Sequence, residues 1–366
     1  MCASSLKATA ACDMGEVKRP RPASAWGCLF MDWRSETSRR DFLKSCLTGA
    51  AILRASGKLP LLEATGQATV AGKSRVVIAR DAMLRDRGGS VDSARVLNLL
   101  DRSMQALLDG NNPTEPWKKL IRPQEKVGLK VNVLGGRGLS SNFQLVEAIC
   151  ERLQETGIQA SDIVIWDRDS DELEHAGFHI STTGNRVHCF GTDRVGYEEE
   201  LVSYGKVASR VSRILTQSCD LLINVPVLKD HDGAGITAAL KNMYGAIHNP
   251  NKFHPNGCNP FIADVNMLPM IRTKMCLTIC DATTAAYEGG PGYKPQYDWR
   301  NNALIVSQDP VALDYVGWQI IEHKRAEKGL KTLEADQRAP RYIATAADAQ
   351  HRLGTNDPKK IAVVEV

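Results

Sequence analysis

Short apolar runs alternate with amphipathic segments from residue 75 to residue 366, and this alternation limits the possible folds more than any other feature. The apolar runs predict strands at 75–79, 126–132, 162–166, 221–228, 275–280, 303–307 and 361–366. Apolar residues at every third or fourth position predict helices at 92–108, 142–156, 206–216, 236–247 and 310–323. Because strands that are apolar throughout are buried on both faces, we predict an α/β fold with a mostly parallel sheet covered by helices on both faces.

Local signals refine this prediction at a few positions. Asp92 and Asp309 stand where helix N-caps are expected, and Pro310 suits a first helical position. Pro226 predicts that strand pairing ends or bulges inside the run 221–228. Residues 170–218 are polar and interrupted by glycine, so we predict an irregular insertion there. Residues 72–366 are expected to form a single α/β domain.

The segment before this domain has the features of an export leader. Its sequence Ser38-Arg39-Arg40-Asp41-Phe42-Leu43-Lys44 resembles the twin-arginine signal at every position of that pattern. The apolar run that follows is short and broken by Arg54, so no stable membrane span is expected. We predict that residues 1–71 are a leader read by the twin-arginine translocase, which would place the protein in the periplasm. Because 37 residues precede Ser38, Met31 is predicted to be the true start.

The net charge of +4 belongs to the predicted leader. The 46 basic and 42 acidic residues divide into ten and six before residue 72, and into 36 of each after it. The predicted domain therefore has no basic excess and no basic patch with interleaved aromatic residues. This distribution argues against a nucleic acid partner.

Motifs for common cofactors are missing from the sequence. The six cysteines after residue 71 include no C-x-x-C pair, so no iron–sulfur cluster is expected. Neither a G-x-G-x-x-G pattern nor a Walker loop occurs, which argues against a nucleotide ligand. The cofactor stays unknown on this basis, and a divalent metal is the one candidate that the histidines and carboxylates suggest.

Three motifs together resemble the domain of unknown function 362 family. They are Val127-Gly-Leu-Lys-Val-Asn132, then Asn224-Val-Pro-Val-Leu-Lys-Asp-His231 with Ala238-Ala-Leu-Lys-Asn-Met-Tyr-Gly245, and finally Asp309-Pro-Val-Ala-Leu-Asp314. The resemblance covers most of residues 75–322 and implies one α/β domain, often preceded by a twin-arginine leader. It implies no particular activity, because the family's function is unsettled. Some members carry an added ferredoxin-like module, which this sequence lacks.

Candidate binding residues follow the predicted strands, because ligands of open α/β sheets bind at the carboxyl ends of strands. The loop 228–235 is predicted to lead into a helix, whose free N–H groups and dipole would attract an anion. The predicted anion-binding residues are Lys130, Asn132, Lys229, Gly233 and Gly235. An alternative is that Asp232 simply caps this helix and the charges are solvated.

Candidate metal ligands and catalytic residues lie in the same loops. His231 with Asp230 and Asp167 would suit a divalent ion. A straight helix over 235–247 would place His231 about 18 Å from His248, so we expect residues 248–254 to form a lid or a substrate contact instead.

The catalytic candidates are His231 as general base or metal ligand, Asp281 as a second carboxylate and Lys241 as an electrostatic partner. Asp314 is expected to be a partly buried acid. The resulting hypothesis is an exported, metal- or anion-dependent enzyme that acts on a small anionic substrate. The alternative is a non-catalytic periplasmic protein that binds a ligand or serves an accessory role.

Overall fold

A computed structural model of the chain describes residues 69–70 and 72–366. Apart from Thr69 and Val70, the predicted leader lies outside the described residues, including the start at Met31 and the motif with Arg39 and Arg40. The described residues fall in one compact unit, Leu62–Val366. None of the helices in this part of the chain is both long enough and apolar enough to cross a membrane.

Fourteen strands and nine α-helices make up the described residues. The strands are β1 (Thr69–Val70), β2 (Lys73–Arg80), β3 (Val127–Val131), β4 (Ile163–Trp166), β5 (His188–Cys189), β6 (Val202–Tyr204), β7 (Val207–Ser209), β8 (Leu221–Val225), β9 (Val227–His231), β10 (Gly235–Thr237), β11 (Met275–Ala286), β12 (Asp298–Trp299), β13 (Ala303–Ser307) and β14 (Ile361–Glu365). The helices are α1 (Ser93–Leu108), α2 (Glu115–Leu120), α3 (Phe143–Glu155), α4 (Ser170–Ala176), α5 (Ala239–Asn242), α6 (Phe261–Asn266), α7 (Pro269–Lys274), α8 (Pro310–Glu327) and α9 (Tyr342–Ala347).

Twelve of the strands form one mixed sheet of mostly parallel strands, with the main order β1-β2-β13-β11-β8-β3-β4-β5. Strands β11, β8, β3, β4 and β5 pair in parallel, whereas β13 runs antiparallel to both β11 and β2. Strand β9 pairs in parallel with the outer half of β11 and forms an antiparallel hairpin with β10. Strands β6 and β7 form a separate hairpin.

Two apolar clusters lie on opposite faces of this sheet, because successive strand residues point to opposite sides. One cluster includes Val77 from β2 together with side chains of α1, α2 and α3. The other includes Val76 together with side chains of α5 to α9. The predicted α/β fold with helices on both faces is therefore confirmed.

Pro226 divides the longest predicted strand, as expected. Strand β8 ends at Val225, β9 begins at Val227, and the carbonyl oxygen of Pro226 accepts a hydrogen bond from the N–H of Asp281 at 2.7 Å. The break lets the chain leave the pairing with β3 and continue beside the outer half of β11. It thereby places β9 beyond the carboxyl end of β3.

Two of the predicted helices are wrong. Residues 236–247 form β10, the single turn α5 and a 3-10 turn, Met243–Ala246. Gly235 has a φ of +82° that a helix does not allow, and the β-branched Ile236 and Thr237 suit the hairpin with β9. Residues 206–216 contain strand β7 and the start of a π-helical turn, Ile214–Ser218, so the insertion at 170–218 has only short elements.

The caps predicted from local sequence are confirmed. The Asp92 carboxylate accepts a hydrogen bond from the N–H of Arg95 and begins α1. The Asp309 carboxylate accepts from the N–H groups of Val311 and Ala312 and begins α8, with Pro310 as its first residue.

Candidate functional site

A cavity of about 370 Å³ lies at the carboxyl ends of β3 and β4, beside β9. Its lining residues are Lys130, Asn132, Leu134, Asp167, Arg168, Glu172, Lys229, His231, Thr237, Lys241, Asn242, Tyr244, Gly245, Pro250, Asn251, His254 and Pro291. Six of the predicted site residues are in this set: Lys130, Asn132, Asp167, Lys229, His231 and Lys241. The rule that ligands bind beyond the carboxyl ends of strands thus brings most candidates to one place.

Lys130 is held in a buried ion pair at the end of β3. Its Nζ lies 2.7 Å from Oδ1 of Asp167 and donates to the carbonyl oxygen of Val131 at 2.6 Å. A longer contact of 3.4 Å reaches Oδ1 of Asn242. Since an ammonium group has three hydrogens, all of them have partners within the protein. In this arrangement the ammonium group of Lys130 has no unpaired hydrogen for a ligand.

A chain of side-chain amides supports Lys229, which is fully buried in the cavity wall. The Nζ of Lys229 donates to Oδ1 of Asn132 at 2.8 Å, and Nδ2 of Asn132 donates to Oδ1 of Asn242 at 3.0 Å. Nδ2 of Asn242 donates in turn to Oδ1 of Asn224 at 2.7 Å. Each amide has one orientation that satisfies these hydrogen bonds, so this series of amides holds the Asn132 oxygen against the amine of Lys229.

The surroundings of Lys229 disfavour its charged form. Burial lowers the pKa of Lys229 to about 7, against the attraction of Asp167, and the charges of Lys241 and Lys130 lower it further. An ordinary lysine has a pKa near 10.4, so a large part of the Lys229 population carries no charge at neutral pH.

His231 is a neutral residue whose ring stacks on that of His254, with 5.7 Å between the ring centroids. Its Nδ1 accepts from the N–H groups of Gly233 and Ala234, both at 3.1 Å. Oδ1 of the exposed Asp232 also lies 3.1 Å from Nδ1, but two N–H groups pointing at this nitrogen require it to accept. Burial, and then the charge of Lys241, lower the pKa of His231 to about 2, so the ring keeps one proton, on Nε2.

Lys241 is the basic residue that contacts the rings of His254 and Tyr244. Its Nζ lies 3.3 Å from Nε2 of His254 and 3.9 Å from the centre of the Tyr244 ring. Nδ1 of His254 lies 3.2 Å from the carbonyl oxygen of Pro250, to which it donates, so its Nε2 is the acceptor. Burial lowers the pKa of Lys241 to about 8, and the contact with the aromatic face favours its charged form.

The three metal ligands predicted from the sequence do not all come together: His231 and Asp167 line the cavity, whereas Asp230 does not. Alternation along β9 points Lys229 and His231 into the cavity and turns Asp230 away from it. The Asp230 carboxylate pairs with Nη1 of Arg338 at 2.7 Å and accepts from the N–H of Gly290 at 3.0 Å. Over residues 72–366, no group of three or more His, Cys, Asp and Glu side chains is arranged to hold a metal ion.

Three other predicted site residues lie outside the cavity lining. Asp281 is buried in β11, where its carboxylate accepts from the N–H groups of Asn142 at 2.6 Å and Thr283 at 2.8 Å. Gly233 lies in the β9–β10 turn and donates its N–H to His231 and Asp232, whereas Gly235 is the first residue of β10. Because this turn leads into a strand, Asp232 is not a helix N-cap and the expected N-terminal anion site is not formed there.

Pro250, Asn251 and His254 line the cavity, within the segment 248–254 for which the sequence predicts a lid or a substrate contact. Sequence reasoning missed Asn242 and the stacking of His254 on His231. Both omissions come from the assumed straight helix over 235–247, which would carry residues 248–254 away from His231. The hairpin and the short turns fold this segment back over β9 instead. His248 stays outside the cavity lining, where its ring packs against Tyr197 with 5.1 Å between centroids. The neighbouring motif Leu240-Lys-Asn-Met-Tyr244 was the available signal for Asn242.

Comparisons with known proteins identify a family but no activity. A family model described as "Domain of unknown function (DUF362)" matches residues 127–319, which is more than half of the chain. No curated protein matches the sequence. A solved structure of a Thermotoga maritima protein, a target of the Northeast Structural Genomics Consortium, is 12% identical with a TM-score of 0.39. The match covers 63% of this chain and 58% of that protein, less than two thirds of its length.

Proposed function

This chain belongs to the domain of unknown function 362 family, and we propose that it is an exported enzyme that binds and transforms a small organic anion in the cavity described above. The observation that carries the proposal is the set of basic side chains around the cavity. Lys130, Lys229, Lys241 and Arg168 all line it, against two carboxylates, Asp167 and Glu172. Burial raises the pKa of Glu172.

The protonation states of the lining residues favour catalysis over simple binding. A binding protein needs only fixed charges, whereas the pKa of Lys229 is lowered to about 7 and that of Lys241 to about 8, both by burial. His231 adds a neutral ring with one donor nitrogen. Groups that gain or lose a proton near neutrality, placed together in a cavity of small-molecule size, are typical of active sites.

Anion binding can be tested with the purified full-length protein. We expect oxalate and phosphate to bind in calorimetric titrations, and Lys241→Met to weaken binding by about tenfold or more, because an ion-pair partner inside a buried site is lost. Lys118→Met changes an exposed lysine on α2 and should leave the affinity unchanged. Equal affinities for all three proteins would contradict the proposal, provided that circular dichroism shows the variants to be folded.

The export part of the proposal rests on the motif Ser38–Lys44. Replacing Arg39 and Arg40 by lysine should retain the precursor in the cytoplasm of a bacterial host, as measured by cell fractionation and immunoblotting. Replacing Arg34 and Arg54 by lysine makes the same substitution outside the motif, also without a change in charge, and should not alter export. An unchanged periplasmic yield from the Arg39 and Arg40 variant would refute this part.

A further inference from the structure

We propose that Lys229 is a nucleophile that forms an imine with the aldehyde or ketone carbon of an organic anion. The inference rests on the proposed function and names the substrate class, a carbonyl compound that also carries a carboxylate or phosphate. Three lysines line the cavity, and the contacts of each one indicate which is the nucleophile and which two act as cations.

Lys130 and Lys241 have contacts that favour their charged forms and oppose the lowering of their pKa by burial. The ammonium group of Lys130 is paired with Asp167 at 2.7 Å and has protein partners for all of its hydrogens. Lys241 lies over the Tyr244 ring at 3.9 Å, a contact that favours a cation. Neither amine has a lone pair to offer while it is protonated.

Among the described residues, Lys229 differs from Lys130 because no carboxylate pairs with its amine, and from Lys241 because no aromatic ring faces it. Within the described part of the chain, its Nζ has one hydrogen-bond partner, the amide oxygen of Asn132 at 2.8 Å. The side chain is fully buried, and a buried amine without a paired carboxylate favours its neutral form. This agrees with a pKa lowered to about 7 by burial. Lys229 also lines the cavity, so the proposal places the carbonyl carbon of a bound substrate against this amine.

The residues around Lys229 supply what imine formation needs. The nitrogen lone pair attacks the carbonyl carbon, the N–C bond forms, and the proton lost by nitrogen reaches the carbonyl oxygen to give a carbinolamine. The hydroxyl group then leaves as water with a proton from the Lys241 ammonium, while the nitrogen lone pair completes the C=N bond. No oxidant or reductant is required. The Arg168 guanidinium, which lines the same cavity and is partly exposed, attracts the anionic group of the substrate.

Reductive trapping tests this assignment on the purified full-length protein. Glyoxylate or pyruvate is added with sodium cyanoborohydride, which reduces an imine to a stable secondary amine. We expect one adduct by intact mass, located at Lys229 by peptide mapping. Its rate of formation should rise as the pH passes through about 7, where the amine loses its proton. Acetaldehyde, which has no anionic group, should label more slowly at the same concentration.

Variants and a parallel binding measurement separate the two proposals. Lys229→Met should abolish the adduct, and Lys118→Met should keep it. A first adduct at Lys241, or labelling spread over exposed lysines, would overturn the imine assignment. This outcome is measured on the wild-type protein, so it does not depend on whether a variant folds. Oxalate binding without any trapping at Lys229 would overturn the imine while leaving the proposed function standing. Loss of both would overturn the two proposals together.

Discussion

Lys130 and Lys229 are buried side by side in one cavity wall and differ in the group that faces each amine. Asp167 provides a carboxylate for Lys130, whereas Asn132 provides only an amide oxygen for Lys229. Burying a charge without a counter-ion costs far more than burying a paired one. The protonation of Lys229 is therefore coupled to the stability of the whole fold.

Lys229→Met should stabilise the protein at low pH and progressively less at high pH. Lys229 has a pKa of about 7 in the folded state and near 10.4 in the unfolded state. As the pH falls, the unfolded chain therefore takes up this proton at a higher pH than the folded protein does. The wild-type free energy of unfolding thus decreases as the pH falls from 10 to 7, by at most about 5 kcal/mol. Methionine removes this loss, but leaves the Asn132 oxygen without its donor at a cost of about 1–3 kcal/mol.

Urea denaturation at pH 6, 7.5 and 9 measures this difference. The advantage of Lys229→Met over wild type should shrink as the pH rises, while Lys118→Met should differ from wild type by the same amount throughout. A pH-independent difference for Lys229→Met would show that the buried amine keeps an ordinary pKa.

At the scale of elements, α5 shows why part of the site escaped sequence analysis. Asp92 and Asp309 cap their own helices, so local sequence was enough to predict where α1 and α8 begin. Helix α5 is capped instead by Asp314 of α8, whose carboxylate accepts from the N–H of Ala239 at 2.6 Å and of Leu240 at 3.3 Å. A cap supplied by a residue so far along the chain leaves no local signal, and a longer helix was predicted in its place.

Asp314→Ala should lower both stability and anion affinity, because α5 carries Lys241 and Asn242. Loss of a cap costs about 1–2 kcal/mol, and Asp314→Asn should cost less because an amide oxygen still accepts one of the two hydrogen bonds. Asp92→Ala is the matched control, since it removes a cap from α1, which does not line the cavity. Calorimetry with oxalate should show weaker binding only for the Asp314 variants; equal weakening by Asp92→Ala would refute the link between this cap and the site.

Over the whole molecule, the order of strands was enough to predict that most candidate residues lie together in one cavity. Lys130 lies in β3 and Lys229 in β9, Asp167 directly follows β4, and the sheet brings the three residues to one edge. Sequence analysis did not identify Arg338, which comes from a segment with no strand or helix pattern. Its guanidinium joins Asp230 on β9 to Glu288 after β11, at 2.7 and 2.9 Å. Such a contact depends on the complete fold, so no spacing in the sequence predicts it.

Arg338→Met should destabilise the protein more at pH 8 than at pH 5. Burial raises the pKa of Asp230 to about 6 even though Arg338 opposes this rise, and removing the guanidinium should raise it further. When a carboxyl group has a higher pKa in the folded than in the unfolded state, the protein becomes less stable as the pH rises towards the folded-state pKa. We expect a loss of about 3 kcal/mol at pH 8, where a buried carboxylate has lost its partner, and a smaller loss at pH 5.

The double variant Asp230→Asn with Arg338→Met identifies the cause, because asparagine removes the charge that Arg338 balances. Urea denaturation should show that the double variant recovers much of the stability lost at pH 8 and has little pH dependence from this position. Arg341→Met, which changes an exposed arginine in the same segment, should have little effect. If Arg338→Met costs the same with Asp230 or with asparagine, the two residues are not coupled. The C-terminal segment would then be held to β9 by packing, such as the close fit of Gly235 against the carbonyl oxygen of Arg338, rather than by charge.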